Sequence, residues 1–481
     1  MLLTIDIGTS AFKSALWNIE SAKPCLVSVS APLSIDVSDG VKHEVDPSKW
    51  LRAFEECCKK LKNLNDVDAI IISGNGPSLV PVFGEPSLNN GLCVPAENAR
   101  LWLDRRAVNY QEQVSELTGG FVDASFFLPK ILLIKNEEPN LYKKTGCFLG
   151  CPEYLAFALT GEAHSVFPCE GFDRWFWNEN VLEKLDIDKK KLPDFIRPGD
   201  LFGTINKLTA EHFGFKKDIP VISGGPDFYA AILGSGVTKP RQICDRTGSS
   251  EGINLCTSNL INDARLMSYR HPIKPFWNLS GMINTTGKAI EWGCDLLGLK
   301  GFDEFLSLAE KSRPGSGGLV FLPYLAGERA PIWKSSARAS WNGISLAAGR
   351  EQFANSILES IGFAVKDVLT VMEEAESAGG VERAASLEPR AKKLHVTGRL
   401  AGIGKLNQIK ADITGMEVLE PVYKEAELLG LAITGSCFLG KYSSIAEASS
   451  DLVRMEKHFE PDLKNFELYE TLFHEYKKSS Y

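Results

Sequence analysis

The stretch LTIDIGTSAFKSALWN, at the start of the chain, places an acid, a glycine, two hydroxyls and a lysine in close succession. Asp6 stands among apolar residues, so the pattern predicts a strand residue rather than a solvated charge. Gly8 allows a tight turn, and the hydroxyls of Thr9 and Ser10 follow it. Backbone N–H groups and hydroxyls at such a turn are suited to phosphate, and Lys13 has the matching charge. The stretch therefore predicts a hairpin that faces a phosphate group.

A second stretch of this kind, CDRTGSSEGINL, stands about half the chain further on. Thr247, Gly248 and Ser249 repeat the hydroxyl and glycine pattern, and Asp245 precedes them. Two unrelated turns are the alternative, because Asp, Gly, Ser and Thr favour turns anyway. One such hairpin in each half predicts a bilobed protein with a nucleotide in the cleft. Glu251 stands unusually close to the predicted phosphate, and the pattern predicts no role for it.

A third chemical candidate is Asp227, in GGPDFYAAILGSG. The stretch favours a strand, a glycine turn and then a helix, with the carboxylate at the head of the helix. An acid there is often only a helix cap. The residue type also allows it to accept the proton of a hydroxyl that attacks a phosphoryl group, although the spacing alone favours the cap.

Composition limits the possible functions. A chain of 481 residues with 44% hydrophobic and 24% charged residues is typical of a globular protein of roughly two to four domains. The net charge of -8 argues against nucleic-acid and anionic-membrane partners. No apolar run approaches the roughly 18 residues of a membrane span, and no basic leader is evident, so we expect a cytoplasmic protein. The eleven cysteines form no CxxC pair, which favours buried free thiols.

Strand-like and helix-like stretches alternate along the chain, which predicts α/β layers with parallel strands. The clearest are residues 68–75, 218–236 and 393–435. Residues 351–380 have the apolar period of a long helix that ends at a glycine pair. Residues 375–392, rich in Ala, Glu, Gly and Arg, read as an exposed connection.

From residue 3 to about residue 435 the sequence resembles the FGGY carbohydrate kinases, most closely their xylulokinase-type members. The resemblance implies two actin-like (ribonuclease H-like) α/β lobes with a nucleotide and sugar cleft between them. Residues 1–242 would hold the sugar and the catalytic base, and residues 243–481 the adenosine. The resemblance rests on the stretches quoted above and on five further motifs: KHEVDPSKW, LWLDRRA, LPKILLIKNE, FLPYLAGERAPIW and ASWNGISLAAGREQFANSILE.

The resemblance also implies cofactors and residue roles. ATP is the implied phosphate donor, and Mg²⁺ would bind near Asp6 through water. Asp227 would be the catalytic base. The implied ATP-binding residues are Gly8, Thr9, Ser10, Lys13, Thr247, Gly248, Ser249, Gly287, Gly398 and Arg399. The implied sugar-binding residues are Asn75, Gly76, Trp102, Asp104 and Asp227. A small-molecule sugar is the expected partner, and a homodimer is compatible with the sequence.

Three departures from the family pattern bear on specificity. Leu133 replaces the usual Trp. Asn75, Gly76 and Pro77 stand where xylulokinase-like members tend to have Gln-Met-His. GRLAGIG replaces the glycine-rich adenosine loop, and the bulk of its Arg and Leu predicts weak discrimination among nucleotides. D-xylulose is the first substrate expected, with ribulose, a pentitol or a hexulose as alternatives. A non-catalytic sugar-binding scaffold and an actin-like ATPase are the rival functions.

Overall fold

The fold was obtained as a computed structural model. The structure describes residues 1–480 except 22, 39, 84–87, 90, 91, 94–96 and 379–392. The chain divides into two compact units, Met1–Gly234 with Glu427–Leu452, and Ser235–Ala426 with Val453–Tyr481. This division differs from the predicted one, which has a single boundary after residue 242, because the chain returns to the first unit near its end. The division of function between residues 1–242 and 243–481 stays a prediction.

The first unit is built on a six-stranded sheet. Leu2–Ile7 and Ala69–Gly74 are buried at every position, as expected for central strands with both faces covered. These two strands pair in parallel, and Pro220–Pro226 adds a third parallel strand. The order across the sheet is Leu201–Thr204, Pro220–Pro226, Ala69–Gly74, Leu2–Ile7, Ala11–Trp17 and Cys25–Pro32.

Helices and short strands complete this unit. The α-helices are Ser48–Lys60, Gln111–Thr118, Phe127–Glu137, Pro139–Lys144, Cys151–Thr160, Glu179–Lys184, Lys207–Phe213, Asp227–Gly234, Ala426–Phe438 and Ile445–Leu452. Single 3₁₀ turns occur at Leu64–Asp66, Arg106–Tyr110, Asp173–Trp175 and Lys189–Lys191. The short strands are Asp36–Ser38, Lys42–Val45, Val80–Phe83, Leu88–Asn89, Leu92–Cys93, Ala99–Arg100, Thr145–Leu149, Ser165–Val166 and Phe195–Ile196.

A close helix contact explains why the late segment belongs to the first unit. A Cβ atom on Gly430 would lie 1.9 Å from the carbonyl oxygen of Ala230. Only a glycine therefore allows helix Ala426–Phe438 to pack this tightly on helix Asp227–Gly234. The contact fixes the helix that begins with the candidate base.

The second unit is built on a seven-stranded sheet. Ile243–Thr247, Lys393–Gly398 and Glu417–Pro421 are parallel, and antiparallel strands flank them. The order is Met267–Arg270, Trp277–Ile283, Glu251–Thr257, Ile243–Thr247, Lys393–Gly398, Glu417–Pro421 and Met455–Phe459. A small pair, Val320–Leu322 with Ser340–Asn342, lies apart from it. The helices are Gly287–Leu296, Phe302–Ala309, Arg350–Ala378, Gly404–Thr414 and Leu463–Ser480, with a 3₁₀ turn at Ser316–Gly318.

The expected α/β class is confirmed, as are the alternating elements of residues 393–435. In residues 218–236 the predicted glycine turn is absent, because Gly224 and Gly225 belong to the strand Pro220–Pro226 and the helix begins directly after it, at Asp227. The long helix is present as Arg350–Ala378. Residues 375–378 of the predicted exposed connection are its last turn, with Ala375 buried, and residues 379–392 lie outside the described residues.

Candidate active site

The first predicted hairpin joins two central strands of the first unit. The amide of Gly8 donates to the carbonyl oxygen of Ala11 at 3.0 Å, which closes the turn. A Cβ on Gly8 would lie 2.8 Å from that oxygen, so the turn requires glycine. Asp6 and Lys13 are directly opposite each other in the strand pair, so their side chains share one face of the sheet. The buried acid and the half-buried lysine therefore lie side by side next to the turn, and the binding of phosphate there stays a prediction.

Trp102 links the sugar-side motif to this hairpin. Its Nε1 donates to Thr9 Oγ1 at 3.0 Å, and both side chains are only half-buried. Ser10 is exposed at the tip of the turn. The structure thus brings together an aromatic side chain and the predicted phosphate-binding turn, which are far apart in sequence.

Asn75 lies at the same end of the sheet, but its amide is engaged within the protein. Its Nδ2 donates to the carbonyl oxygen of Ile7 at 2.9 Å, and its Oδ1 accepts from Ser78 Oγ at 2.6 Å. This differs from the expected contact of the amide with sugar, since a buried amide is held by the partners it already has. Gly76, next to it, is exposed with open space at the position of a Cβ, as a roomy pocket requires.

Asp104 is also engaged within the protein. Its carboxylate is fully buried and accepts from the amide of His43 at 3.0 Å and from the guanidinium of Arg106 at 2.7 Å. Burial by itself would raise the pKa of Asp104, but the hydrogen bonds from Arg106 and His43 bring it below its ordinary value. The expected role of Asp104 as an acceptor for sugar hydroxyls thus differs from what the structure shows, which is an ion pair that shapes the loop after Trp102.

Lys130 connects the two loops of the sugar side. Its ammonium group is fully buried and donates to the carbonyl oxygens of Pro77 at 2.9 Å, Arg100 at 3.2 Å and Leu101 at 2.6 Å. Burial lowers the pKa of Lys130 well below its ordinary value. All three acceptors lie in segments next to predicted sugar residues. Lys130 therefore holds the loop after Asn75 and the loop before Trp102 in one arrangement.

Asp227 begins the helix Asp227–Gly234 and is half-buried. It lies at the same end of the sheet as Asp6, because Asp6 precedes Ile7, Asp227 follows Pro226, and Ile7 and Pro226 both pair with Gly74. After burial and the charge of Glu153, both acids raise the pKa of the Cys151 thiol. The Cys151 Sγ is also 3.9 Å from Asn75 Nδ2. The buried thiol thus marks a point on which the two acids and the sugar-side loop converge.

Glu153 is a carboxyl that the sequence analysis does not single out. It lies in the first turn of helix Cys151–Thr160, and its Oε1 accepts from the amide of Val166 at 3.2 Å. Its Oε2 is buried with no hydrogen-bond partner among the described residues. Burial raises the pKa of Glu153 to about 7. The sequence indicates only an acid near the start of a helix, as a capping residue would be. Its burial depends on tertiary contacts, which the sequence does not show.

The second predicted hairpin lies in the second unit, between strands Ile243–Thr247 and Glu251–Thr257. The amide of Gly287 donates to the carbonyl oxygen of Gly248 at 3.0 Å, and a Cβ on Gly287 would lie 2.5 Å from that oxygen. Gly287 is the first residue of a helix, whose N-terminus favours negative charge. Ser249 is exposed at the tip. Hairpin and helix end together suit a phosphate chain.

The predicted adenosine loop meets the same hairpin. Thr247 Oγ1 donates to the carbonyl oxygen of Thr397 at 2.7 Å, and the amide of Arg399 donates to the carbonyl oxygen of Thr247 at 3.1 Å. Gly398 has a φ of +85° and no room for a Cβ, which would lie 2.1 Å from the Thr247 carbonyl oxygen. The side chain of Leu400 is buried in the core. Its bulk is therefore directed into the core, whereas Arg399 stays exposed beside the loop, and weak discrimination among nucleotides stays a prediction.

Arg399 is exposed beside this loop. Its guanidinium pairs with Glu291 at 3.0 Å and lies 5.0 Å from the ring centroid of Phe302. The three side chains form an outer wall next to Gly398. Such a wall has a flat cation, an aromatic face and an acid that can meet a purine ring and its polar edge.

Glu251 belongs to a buried ion cluster beneath the second hairpin. Lys410 Nζ lies 2.5 Å from Asp245 Oδ2 and also pairs with Glu251, and all three side chains are buried. Burial and the neighbouring charge of Asp245 raise the pKa of Glu251 well above its ordinary value. The acid near the predicted phosphate is therefore directed into the core, which explains its position.

The structure brings most of the predicted residues together within each unit. In the first unit Asp6, Lys13, Thr9, Trp102 and Asp227 gather at one end of the sheet. In the second unit Thr247, Gly248, Gly287, Gly398 and Arg399 do so. Sequence reasoning assigned no role to Lys130 or Lys410. Each is a lysine between apolar residues, and that pattern indicates a buried ammonium group, which needs ionic or hydrogen-bond partners in the protein.

Comparison with known proteins agrees with this architecture. The family model described as the FGGY family of carbohydrate kinases, N-terminal domain, matches residues 1–234, and the C-terminal domain model matches residues 246–438. The chain therefore belongs to the FGGY family of carbohydrate kinases, and it is a sugar kinase. Kinases of this family take the phosphate from ATP. Among the described residues, no helix combines the length and apolar character needed to cross a membrane.

Similar proteins share nearly the whole chain. A xylulose kinase of Staphylococcus epidermidis is 25% identical over 498 aligned residues, covering 99% of this chain and 95% of its own. A gluconate kinase structure from Lactobacillus acidophilus matches with a TM-score of 0.83 at 22% identity, covering 99% of this chain and 97% of that one. A ligand-bound xylulose kinase structure from the same organism has a TM-score of 0.82 at 23% identity, covering 100% and 98%. The two structures confirm the fold.

Proposed function

We propose that this enzyme transfers the γ-phosphate of ATP to a hydroxyl of a ketose, with D-xylulose as the first candidate and Asp227 as the catalytic base. The observation that carries the proposal is the strand register that puts both acids at one end of the parallel sheet, beside the hairpin of Gly8 and Thr9: Asp6 precedes Ile7, Asp227 follows Pro226, and Ile7 and Pro226 both pair with Gly74. That arrangement puts a proton acceptor close to a phosphate-facing turn. The relatives named xylulose kinase support the choice of sugar.

Phosphoryl transfer requires little covalent chemistry from the protein itself. Asp227 accepts the proton of the sugar hydroxyl while the oxygen of that hydroxyl forms a bond to the γ-phosphorus. The bond between that phosphorus and the bridging oxygen of ADP breaks, and ADP leaves. The amides and hydroxyls of Thr9 and Ser10 and the charge of Lys13 stabilise the transferred group. Gly8, whose amide closes the turn on Ala11, shapes the hairpin that presents them.

The second unit holds the rest of the nucleotide in this proposal. Gly248 and Ser249 receive the α- and β-phosphates, with the helix end at Gly287. Thr247, whose buried hydroxyl is engaged by Thr397 and Leu400, holds the hairpin in place. Gly398 and Arg399 lie beside the adenosine.

The residues of the first hairpin fit Mg²⁺. Asp6 is a buried carboxylate next to a turn that leaves no room for a side chain at Gly8. Mg²⁺ keeps several waters and takes few direct carboxylates, so Asp6 would hold it through water. When bound, the ion neutralises charge on the phosphates.

The sugar contacts are divided between binding and positioning residues. Trp102 offers an apolar face to C–H groups, and Gly76 leaves space for a chain longer than glycerol. Asn75 and Asp104, whose polar groups are engaged by the protein, position the loops. No charged pair follows the strand Ala69–Gly74, so glycerol lacks a clamp and should be a very poor substrate.

Cytoplasmic location and a homodimer stay predictions from the sequence, as does the absence of nucleic-acid and membrane partners.

A coupled assay of ADP release tests the proposal. The panel contains D-xylulose, L-xylulose, D-ribulose, L-ribulose, xylitol, D-fructose, L-rhamnulose and glycerol, with a reaction lacking sugar as the control. We expect a ketose to stimulate ADP release most, and glycerol to do so least. Glycerol as the best substrate would overturn the pocket assignment. Release that no sugar stimulates would favour the actin-like ATPase, and no release would favour the scaffold.

A further inference from the structure

Four aromatic rings form a row that starts at the residue after the candidate base. Phe228 follows Asp227, and its ring stacks on Phe172 with centroids 5.5 Å apart and planes 13° apart. Phe172 is tilted against Trp175 at 5.1 Å. Trp175 stacks on Phe126 at 5.6 Å and 14°. The row therefore begins at the residue next to the base of the proposed function.

The two ends of the row are more accessible than its middle. Phe172 and Trp175 are 7% and 9% exposed, whereas Phe228 and Phe126 are half-buried. The middle rings are thus anchored in the protein, and the end rings keep accessible surface. Such a row is rigid, because each ring is fixed by its neighbour.

The far end of the row lies next to the helix that supports the two loops of the predicted sugar site. Phe126 directly precedes helix Phe127–Glu137, which carries Lys130. Lys130 holds the loops before Trp102 and after Asn75. The row therefore runs from the helix of the base to the helix that supports both sugar loops.

We propose that this row is an apolar wall of the sugar site and that the substrate presents a deoxy carbon, a methyl group, to Phe228. The inference rests on the proposed function and narrows its substrate class to deoxy ketoses, which replace D-xylulose as the first candidate because D-xylulose carries a hydroxyl on both terminal carbons. A hydroxyl placed against these rings would lose its hydrogen bonds to water without gaining others. A methyl group there would instead bury apolar surface. A hydrophobic pocket of this kind discriminates by about tenfold to a hundredfold.

The test compares each sugar with a deoxy analogue that lacks one terminal hydroxyl. The pairs are D-xylulose with 1-deoxy-D-xylulose, and D-fructose with 6-deoxy-D-fructose. The value of kcat/KM is measured for the wild type, for Phe228→Asn and for Phe228→Tyr, which keeps the ring and adds one hydroxyl. Phe121→Asn is the matched control, because Phe121 is an exposed ring in the same unit and outside the row.

We expect the wild type to prefer the deoxy sugar of at least one pair by about tenfold or more. Phe228→Asn should abolish that preference, Phe228→Tyr should reduce it several-fold, and Phe121→Asn should leave it unchanged. Thermal unfolding checks that each variant is folded, and Phe228→Tyr decides if Phe228→Asn does not fold. The inference would be overturned if the wild type preferred the parent sugar of both pairs, or if the folded Phe228 variants kept the wild-type preference for a deoxy sugar. Either result would leave the kinase proposal standing. Absence of activity with every sugar would overturn both.

Discussion

Lys130 Nζ donates to the carbonyl oxygen of Leu101 at 2.6 Å, from a side chain that no solvent reaches. The same ammonium group binds the carbonyl of Pro77. One buried cation thus joins two loops whose neighbours are the candidate sugar residues. The relationship makes Lys130 a positioning residue, since it acts through the loops it holds.

Lys130→Met should raise the KM for sugar by about tenfold or more, because small displacements of positioned groups are costly. The KM for ATP should change by less than about threefold. Steady-state kinetics at saturating co-substrate measure both values. Lys135→Met is the matched control on the same helix, since Lys135 forms an ion pair with exposed Asp186. A folded Lys130→Met enzyme with an unchanged KM for sugar would contradict the assignment.

Gly398→Ala should weaken nucleotide binding. The residue has a φ of +85°, and its new Cβ would meet the carbonyl oxygen of Thr247. Backbone strain of about 1–3 kcal/mol predicts a rise of roughly tenfold in the KM for ATP, with the KM for sugar unchanged. Gly404→Ala is the control, because its Cβ would be 3.7 Å from its nearest neighbour. Equal ATP affinities for the two variants would refute this role of the loop.

Glu153→Gln should raise thermal stability above neutral pH. The pKa of Glu153 is raised from 4.5 to about 7 in the folded protein, so between these values the folded state binds the proton and the unfolded state does not. Stability therefore falls as the pH rises through this window, by about 1.4 kcal/mol per unit of pKa shift at most. The neutral amide avoids that loss, so the variant should gain on the wild type at pH 8 and gain much less at pH 5. Calorimetric melting curves at the two pH values measure the difference, and a gain independent of pH would argue against an ionising Glu153.

Local motifs predicted the parts of the site that depend on neighbouring residues. The turn at Gly8 and the hairpin at Gly248 follow from residue types that stand together in the sequence, and the alternating elements follow from periodicity. The contacts of Gly287 with Gly248 and of Gly398 with Thr247 could not be predicted from local sequence, because these residues are far apart in the chain. The family resemblance alone assigned them to one nucleotide site.

Polar partners far apart in sequence escaped prediction. Asp104 looked available for sugar because its residue type does not show that Arg106 and the amide of His43 already satisfy it. Glu251 looked misplaced because Lys410, its partner, is 159 residues away. Burial is a property of the whole fold, so the side chains that it commits are assigned only once the packing is known.

The most direct test of the central claim is the sugar-dependent release of ADP by Asp227→Asn at saturating ATP and sugar. The substitution is isosteric and removes the base alone, and Asp218→Asn, at an exposed position with a φ of +60°, is the control. We predict a loss of about 10²–10⁴-fold in turnover, with nucleotide binding and melting temperature nearly unchanged. Turnover above about a tenth of the wild-type value in the folded variant would contradict the assignment of Asp227 as the catalytic base.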